Sequence, residues 1–173
     1  MKTFIALGLI GLSCSSAFAI DCTAMMTFTP NGSNYDYDIA LKNTGAGALV
    51  TLWYAWRPGQ NYIAQAPTNV ISPQNWNASV THGGPTDGYG INFSTFSDQI
   101  ITGQTRHFKF TSSSTPGQLS GNSVFYPSIP VGTTWVYDAS GASKEIVITA
   151  VPEPTSLIAV AIGALAVCIR RRK

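Results

Sequence analysis

Tyr35-Asp36-Tyr37-Asp38-Ile39-Ala40-Leu41-Lys42 alternates apolar and polar side chains with a period of two, the pattern of a strand with one face in a core and the other in water. Asn43-Thr44-Gly45-Ala46-Gly47 follows as a flexible turn. Residues 49–56 then form an apolar and aromatic run suited to a central strand. Neither of its parities, Leu49/Thr51/Trp53/Ala55 or Val50/Leu52/Tyr54/Trp56, is fully polar, so the run reads as covered on both sides. Arg57-Pro58-Gly59 ends it, because proline presets a turn and glycine tolerates positive φ. The two runs are expected to form an antiparallel pair.

Outward from this centre, residues 24–29 are expected to open the sheet. Further strand patterns fall at 89–93, 105–111, 123–126, 134–137 and 144–149, separated by Gly, Pro, Asn or Ser. Helical periodicity is nearly absent between residues 20 and 150. Seven or eight short strands in a stretch of this length imply an all-β fold, an antiparallel β-sandwich of immunoglobulin-like type. A small closed barrel is the alternative. Residues 60–85 break the rhythm with Pro67, Pro73 and Pro85 among polar residues. They are expected to be either a long excursion across one end of the sandwich or a poorly paired edge strand, and a recognition surface is sought there first.

The two ends of the chain read differently from its middle. Lys2, an apolar run over residues 4–12 and Ala17-Phe18-Ala19 before Ile20 have the order of a secretory signal peptide, with cleavage expected between Ala19 and Ile20. A cut at Cys14 would instead make a lipoprotein, but Gly11-Leu12-Ser13-Cys14 lacks the usual Leu three positions before the cysteine. At the other end, Pro152-Glu153-Pro154 precedes an apolar run over residues 157–169 and a basic stop of Arg170, Arg171, Arg172 and Lys173. A helix there needs no backbone partners in hydrocarbon, and its cations place that end in the cytoplasm. Residues 155–169 would rise roughly 22 Å against a hydrocarbon core of about 30 Å, short for a permanent anchor. Such a span behind a rigid diproline element suits a segment that is inserted, recognised and cut.

This three-part tail resembles the PEP-CTERM sorting signal of Gram-negative bacteria, over residues 151–173. The resemblance implies export across the inner membrane, cleavage by a membrane exosortase, and display at the surface or in the matrix of bacteria that make exopolysaccharide. The middle of the chain is similar to the secreted β-domains that accompany this signal. That likeness is carried by Asn43-Thr44-Gly45, Trp53-Tyr54-Ala55-Trp56-Arg57-Pro58-Gly59, Ser72-Pro73-Gln74-Asn75-Trp76 and Phe108-Lys109-Phe110-Thr111-Ser112, and it implies a fold and a setting but no catalytic or ligand residues. The expected organisation is a signal peptide over 1–19, a β-sandwich over 20–150 and a sorting tail over 151–173.

Charge sharpens this division. The chain of 173 residues carries a formal net charge of +2. Between residues 20 and 151 there are five cations, Lys42, Arg57, Arg106, Lys109 and Lys144, against seven anions, Asp21, Asp36, Asp38, Asp87, Asp98, Asp138 and Glu145, a net −2. The positive charge belongs to the ends, so the domain offers no basic patch for nucleic acid. Cys22 is the one cysteine left between the two end segments, which excludes an internal disulfide and leaves either a reduced thiol or pairing between chains.

Little in the domain points to catalysis. His82 and His107 are the only histidines and no Cys/His spacing suits zinc; both are expected to be solvated or locally bonded, with His107 pointing opposite Phe108. No Gly-x-Ser-x-Gly elbow occurs. Asp36 and Asp38 share a strand face about 7 Å apart, a separation open to a glycosidase pair; their simpler role is a solvated outer face. Calcium at Asp36, Asp38 or the Asp87 loop lacks the dense acidic loop such sites use, and no cofactor or metal is expected. Trp53, Trp56, Trp76 and Trp135, with Tyr54, Tyr62 and Tyr89, offer partial material for a flat platform on which sugar rings stack, though core packing should claim most of them. Trp76, in the proline-rich stretch, is the tryptophan expected to be exposed and is the candidate ligand contact. The chain therefore reads as a non-enzymatic exported protein with a structural or adhesive role at the surface. A carbohydrate-binding module for exopolysaccharide is the first rival and a matrix polysaccharide hydrolase the second.

Overall fold

The computed structural model describes residues 20–152. The signal-peptide residues Lys2, Ala17 and Ala19, with Cys14, and the tail residues Glu153, Pro154, Arg170, Arg171, Arg172 and Lys173 lie outside the described residues.

Two five-stranded sheets pack face to face. The first is built from β12 (Ala150–Pro152), β1 (Cys22–Asn31), β2 (Asn34–Asn43), β9 (Thr105–Ser112) and β6 (Thr68–Ile71), in that spatial order. The second is β11 (Ser143–Val147), β10 (Thr133–Asp138), β3 (Leu49–Tyr54), β8 (Tyr89–Ser94) and β7 (Asn77–His82). A short hairpin of β4 (Trp56–Arg57) and β5 (Gln60–Asn61) follows β3, and α1 (Pro116–Ser120) follows β9. All pairings are antiparallel except that of β12 with β1. The expected all-β sandwich is thus the observed one: the two sheets keep separate edges and do not close into a barrel.

Alternation decides what each strand buries. On β2, Tyr37, Ile39 and Leu41 point inward, and on β9 Phe108 and Phe110 meet them in register, Ile39 opposite Phe108 and Tyr37 opposite Phe110. The second sheet supplies Leu49, Leu52, Tyr54, Ile91, Phe93 and Val136. Ring centroids 4.9 Å apart for Phe93 and Phe108, and 5.4 Å for Tyr54 and Phe110, join the two layers. A bulge on β3, where Tyr137 faces Thr51 but Asp138 faces Leu49, sends both Leu49 and Leu52 into the core. The run 49–56 is therefore not covered on both sides: Thr51 and Trp53 stay half-buried on the outer face.

Three expectations are corrected. β2 and β3 do not pair; β2 lies between β1 and β9, and β3 between β10 and β8. Asn43 makes the segment between them a corner: its buried Nδ2 donates to the carbonyls of Gly47 and Ile100, both at 2.7 Å, and its Oδ1 accepts from the Gly45 amide. Each strand has an apolar face, and placing them in opposite layers lets those faces bury one another. β2 takes its hairpin partner from upstream instead, through a two-residue turn that opposes Asn31 to Asn34 with Gly32 at φ +61°.

Residues 123–126 are not a strand. They follow α1 in a loop held by the Ser123 amide to the Ile129 carbonyl and the Ser123 hydroxyl to the Tyr62 carbonyl, and Pro127 and Pro130 remove two donors from this stretch. Residues 60–85, finally, are not an excursion across one end: the edge-strand alternative holds, but with two strands in place of one, β6, poorly paired, on the first sheet and β7 on the second.

Candidate functional site

The outer face of the second sheet gathers four half-buried aromatic side chains, Trp53, Trp56, Trp135 and Tyr137. Cross-strand pairing aligns Glu145, Trp135, Trp53, Asn92 and Ser79 in one row from β11 to β7, and Ser143, Tyr137, Thr51, Ser94 and Asn77 in the next. Simple alternation would leave Trp56 on the opposite side from Trp53. Ala55, at φ +55° and fully buried, breaks the alternation, and Trp56 stacks on Trp53 with ring centroids 4.1 Å apart. Pro58-Gly59, with Gly59 at φ +80°, then turns the chain as the sequence anticipates.

Arg57 enters from this turn and grips Glu145 with two bonds, Nε to Oε2 at 2.8 Å and Nη2 to Oε1 at 2.6 Å. The Trp135 indole donates to the same carboxylate at 3.0 Å. The Arg57 guanidinium holds the Glu145 carboxyl below the usual carboxylate range, and Glu145 in turn raises Arg57. Both charges therefore persist across the ordinary pH range at the border of the rings. Tyr137 lies beside Trp135 with centroids 6.1 Å apart. The result is a cluster in which Trp53, Trp56, Trp135 and Tyr137 are each half-buried, next to a fixed ion pair and the polar side chains of Asn92, Ser94 and Thr51.

Only part of the aromatic set expected from the sequence assembles here. Trp53, Trp56 and Trp135 come together. Tyr54 and Tyr62 are fully buried, and burial pushes the Tyr62 hydroxyl up to about 12. Tyr89 stacks on His82 with centroids 4.3 Å apart, near the β7 edge and away from the tryptophans. Trp76 is the correction: it is 5% exposed, edge-on to Phe108 at 5.0 Å, with its indole N–H bonded to the Asp98 carbonyl at 2.7 Å. It stands just before β7, where it closes the core beside the two edge strands, so it is not available as a ligand contact. Tyr137 is the member that sequence reading left out, although its two-residue spacing from Trp135 on one strand carries the signal.

The first sheet turns Asp36 and Asp38 outward, as expected, along a groove of about 580 Å³. Both carboxylates are engaged. Asp36 accepts from the Thr111 hydroxyl at 2.7 Å and the Asn31 amide at 3.0 Å. Asp38 meets His107 Nδ1 at 2.9 Å and Lys109 Nζ at 3.4 Å. His107 is exposed opposite buried Phe108, as expected, and His82 Nδ1 lies 2.8 Å from the Gly88 carbonyl. Asp87 is buried and not part of an open loop. It accepts from the Asn61 amide at 2.8 Å, the Asn61 side chain at 2.6 Å and Tyr126 at 3.2 Å. Among the described residues no three His, Cys, Asp or Glu side chains group as metal ligands. Cys22 is free and buried, and burial pushes its thiol up, which opposes pairing between chains.

The sorting tail leaves directly from the sandwich. β12 runs parallel to β1, with Ala150 opposite Met26 and Pro152 opposite Phe28; an edge strand tolerates the missing proline N–H. No curated protein matches the chain. Similar solved structures include an uncharacterized protein from Nocardia farcinica with an immunoglobulin-like fold, at 9% identity over 70% of this chain and 82% of that one, TM-score 0.43. A biomass-sensing module of Clostridium thermocellum, described as resembling the family 3 carbohydrate-binding module of the cellulosome, shares 14% identity over 76% of this chain and 99% of that one, TM-score 0.44. An exo-β-N-acetylglucosaminidase of Vibrio harveyi shares 9% over 76% of this chain but only 18% of the enzyme, TM-score 0.45. At these identities the likeness concerns architecture alone.

The tail is specific where the sandwich is not. Residues 150–173 match the PEP-CTERM protein-sorting motif, which implies export, sorting to the cell envelope or surface, and processing by an exosortase in the membrane. The chain thus carries a PEP-CTERM protein-sorting motif at residues 150–173, and that motif begins with Ala150, the first residue of the last strand of the β-sandwich.

Proposed function

We propose that this protein is a non-enzymatic adhesive component of an extracellular matrix, and that it holds exopolysaccharide on the outer face of its second sheet. One observation carries the reading: Trp53, Trp56, Trp135 and Tyr137 share that face with part of each ring in water, beside the Arg57–Glu145 pair. Apolar C–H faces of sugars stack on such rings, and a fixed carboxylate and guanidinium bond hydroxyls at their rim. An open sheet face suits an extended polymer lying along it better than a short ligand enclosed in a pocket.

The test is affinity electrophoresis or calorimetry against the exopolysaccharide of the producing cells and a panel of soluble glucans and galactans. Replacing both Trp53 and Trp56 by Ala should weaken binding at least tenfold, since exposed aromatic anchors dominate such contacts. Equal binding by that double variant would sink the proposal. A polysaccharide hydrolase is the second reading, favoured by the groove beside Asp36 and Asp38. It requires release of reducing ends that stops in Asp36→Asn, and binding without turnover would leave the adhesive reading alone. On the processing side, mass spectrometry of the surface fraction should find an N-terminus at Ile20 and a C-terminus between Pro152 and Thr155; intact Arg170 to Lys173 would count against cleavage.

A further inference from the structure

The four sheet edges are not alike. An open edge carries unpaired N–H and C=O groups that invite another strand, and proteins usually blunt it with charge, proline, a bulge or short length. β12 is three residues long and ends in Pro152. β6 loses register between Thr68 and Ile71, with Asn69 at φ +46°. β11 carries Lys144 and Glu145, tied to Asp21 and Arg57. β7 has none of these devices. Asn77-Ala78-Ser79-Val80-Thr81-His82 contains no proline and no Asp, Glu, Lys or Arg, pairs with β8 at every residue without a shift, and is exposed from Asn77 to Val80. Among the described residues, no other segment bonds to its backbone.

We infer that β7 is an interface between two copies of this chain, joined edge to edge as antiparallel strands about a two-fold axis. A second copy is the partner this edge fits. It brings an edge of the same length with the same unpaired groups, and small uncharged side chains that neither repel nor obstruct close approach. The blunted edges elsewhere leave β7 as the place where two copies can meet, and a two-fold pairing closes on itself, giving a dimer and no fibre. Pairing centred on Ser79 keeps both outer faces on the same side. The row Trp135, Trp53, Asn92, Ser79 then continues into its own mirror order in the mate. The two tryptophan clusters of this ten-stranded sheet stand about 24 Å apart, five strand spacings of about 4.8 Å. The inference does not depend on what those clusters bind.

The full chain in detergent, followed by sedimentation and hydrogen exchange, tests it. The expected result is a mass of two copies at tens of micromolar, with amides of residues 77–82 exchanging more slowly as concentration rises. Asn77→Lys combined with Ser79→Lys, both exposed, should weaken association at least tenfold with an unchanged near-ultraviolet spectrum, while Ser143→Lys on the β11 edge should leave it intact. Should the double variant misfold, Ser79→Lys alone, which sets two lysines face to face, serves in its place. Amides of β7 that exchange at one rate at all concentrations, or a mass that survives the lysines, would overturn the inference; the second outcome assigns association to the tail.

Discussion

Across β2 and β9 the first sheet turns Asp36, Asp38, His107, Lys109 and Thr111 outward, whereas across β3 and β10 the second turns out Thr51, Trp53, Trp135 and Tyr137. Both faces follow from the same alternation, yet they leave different business undone. On the first sheet the carboxylates find partners one strand away: Asp38 opposite Lys109, Asp36 opposite Thr111. Exposed pairs of this kind contribute little stability and hold little in reserve for a ligand. On the second sheet the rings stack on each other over part of their area only, and the rest is apolar surface in water. That area is the larger store of binding free energy, at about 25 cal/mol per Å² of apolar surface removed from water. Charge drew attention to the first face, but geometry favours the second.

The contrast between the two faces turns most on separating aromatic residues that face water from those that fill the core. Trp76→Ala should cost about 3–5 kcal/mol in denaturant unfolding, since it empties a packed site beside Phe108, yet leave polysaccharide affinity unchanged per folded molecule. Loss of affinity without loss of stability would put Trp76 back on the surface.

Carboxylates admit the same separation. Asp87 is buried and accepts three hydrogen bonds, and Asp87→Ala should cost about 2–3 kcal/mol, as expected for hydrogen bonds to a buried charge. Burial pushes its carboxyl up, but the bonds from Asn61, Gly88 and Tyr126 outweigh burial and hold it below its ordinary value. A group whose folded pKa is lowered contributes fully above its unfolded value, about 3.9 for Asp, and loses that contribution as pH falls through the folded value. Stability should therefore fall as pH drops below about 4, and Asp87→Asn should flatten that limb of the melting-temperature profile. An unchanged limb assigns acid sensitivity to other groups.

Smaller effects are expected at two further positions. Among the described residues the buried Tyr54 hydroxyl has no hydrogen-bond partner, so Tyr54→Phe should gain about 0.5–1 kcal/mol in thermal unfolding; a loss would overturn that reading. Asp38→Asn, on the exposed face, should shift unfolding by less than about 0.5 kcal/mol and leave polysaccharide binding as it was. A large change there would make the first face the functional one.

Legibility followed the range of the interaction. Tyr37, Ile39 and Leu41 declared a buried face through spacing alone, and Arg57-Pro58-Gly59 declared its turn, because both depend on neighbours in the chain. α1 was legible too: Thr115-Pro116-Gly117-Gln118 is a capping box with proline at the first helical position, overlooked among strand patterns. The failures were of another kind. Adjacent strands β2 and β3 separate because a buried Asn43 bonds Ile100, 57 residues away. The polar neighbours of Trp76 point outward, but a proline-rich segment can still deliver one indole to a core. Trp56 reached the outer face through the left-handed backbone at Ala55, a residue type that gives no warning of it.

An exported all-β protein with a sorting tail can be read from the order of residues alone. Those properties reside in local order: an alternating period of two, turn residues between strands, and a short motif followed by apolar and basic runs. The tertiary structure alone decided which layer each strand joins, which tryptophans meet water, and which sheet edge stays open. Each of these is settled by contacts between residues far apart in the chain, where burial of one face and satisfaction of backbone hydrogen bonds compete, and no local pattern records the outcome.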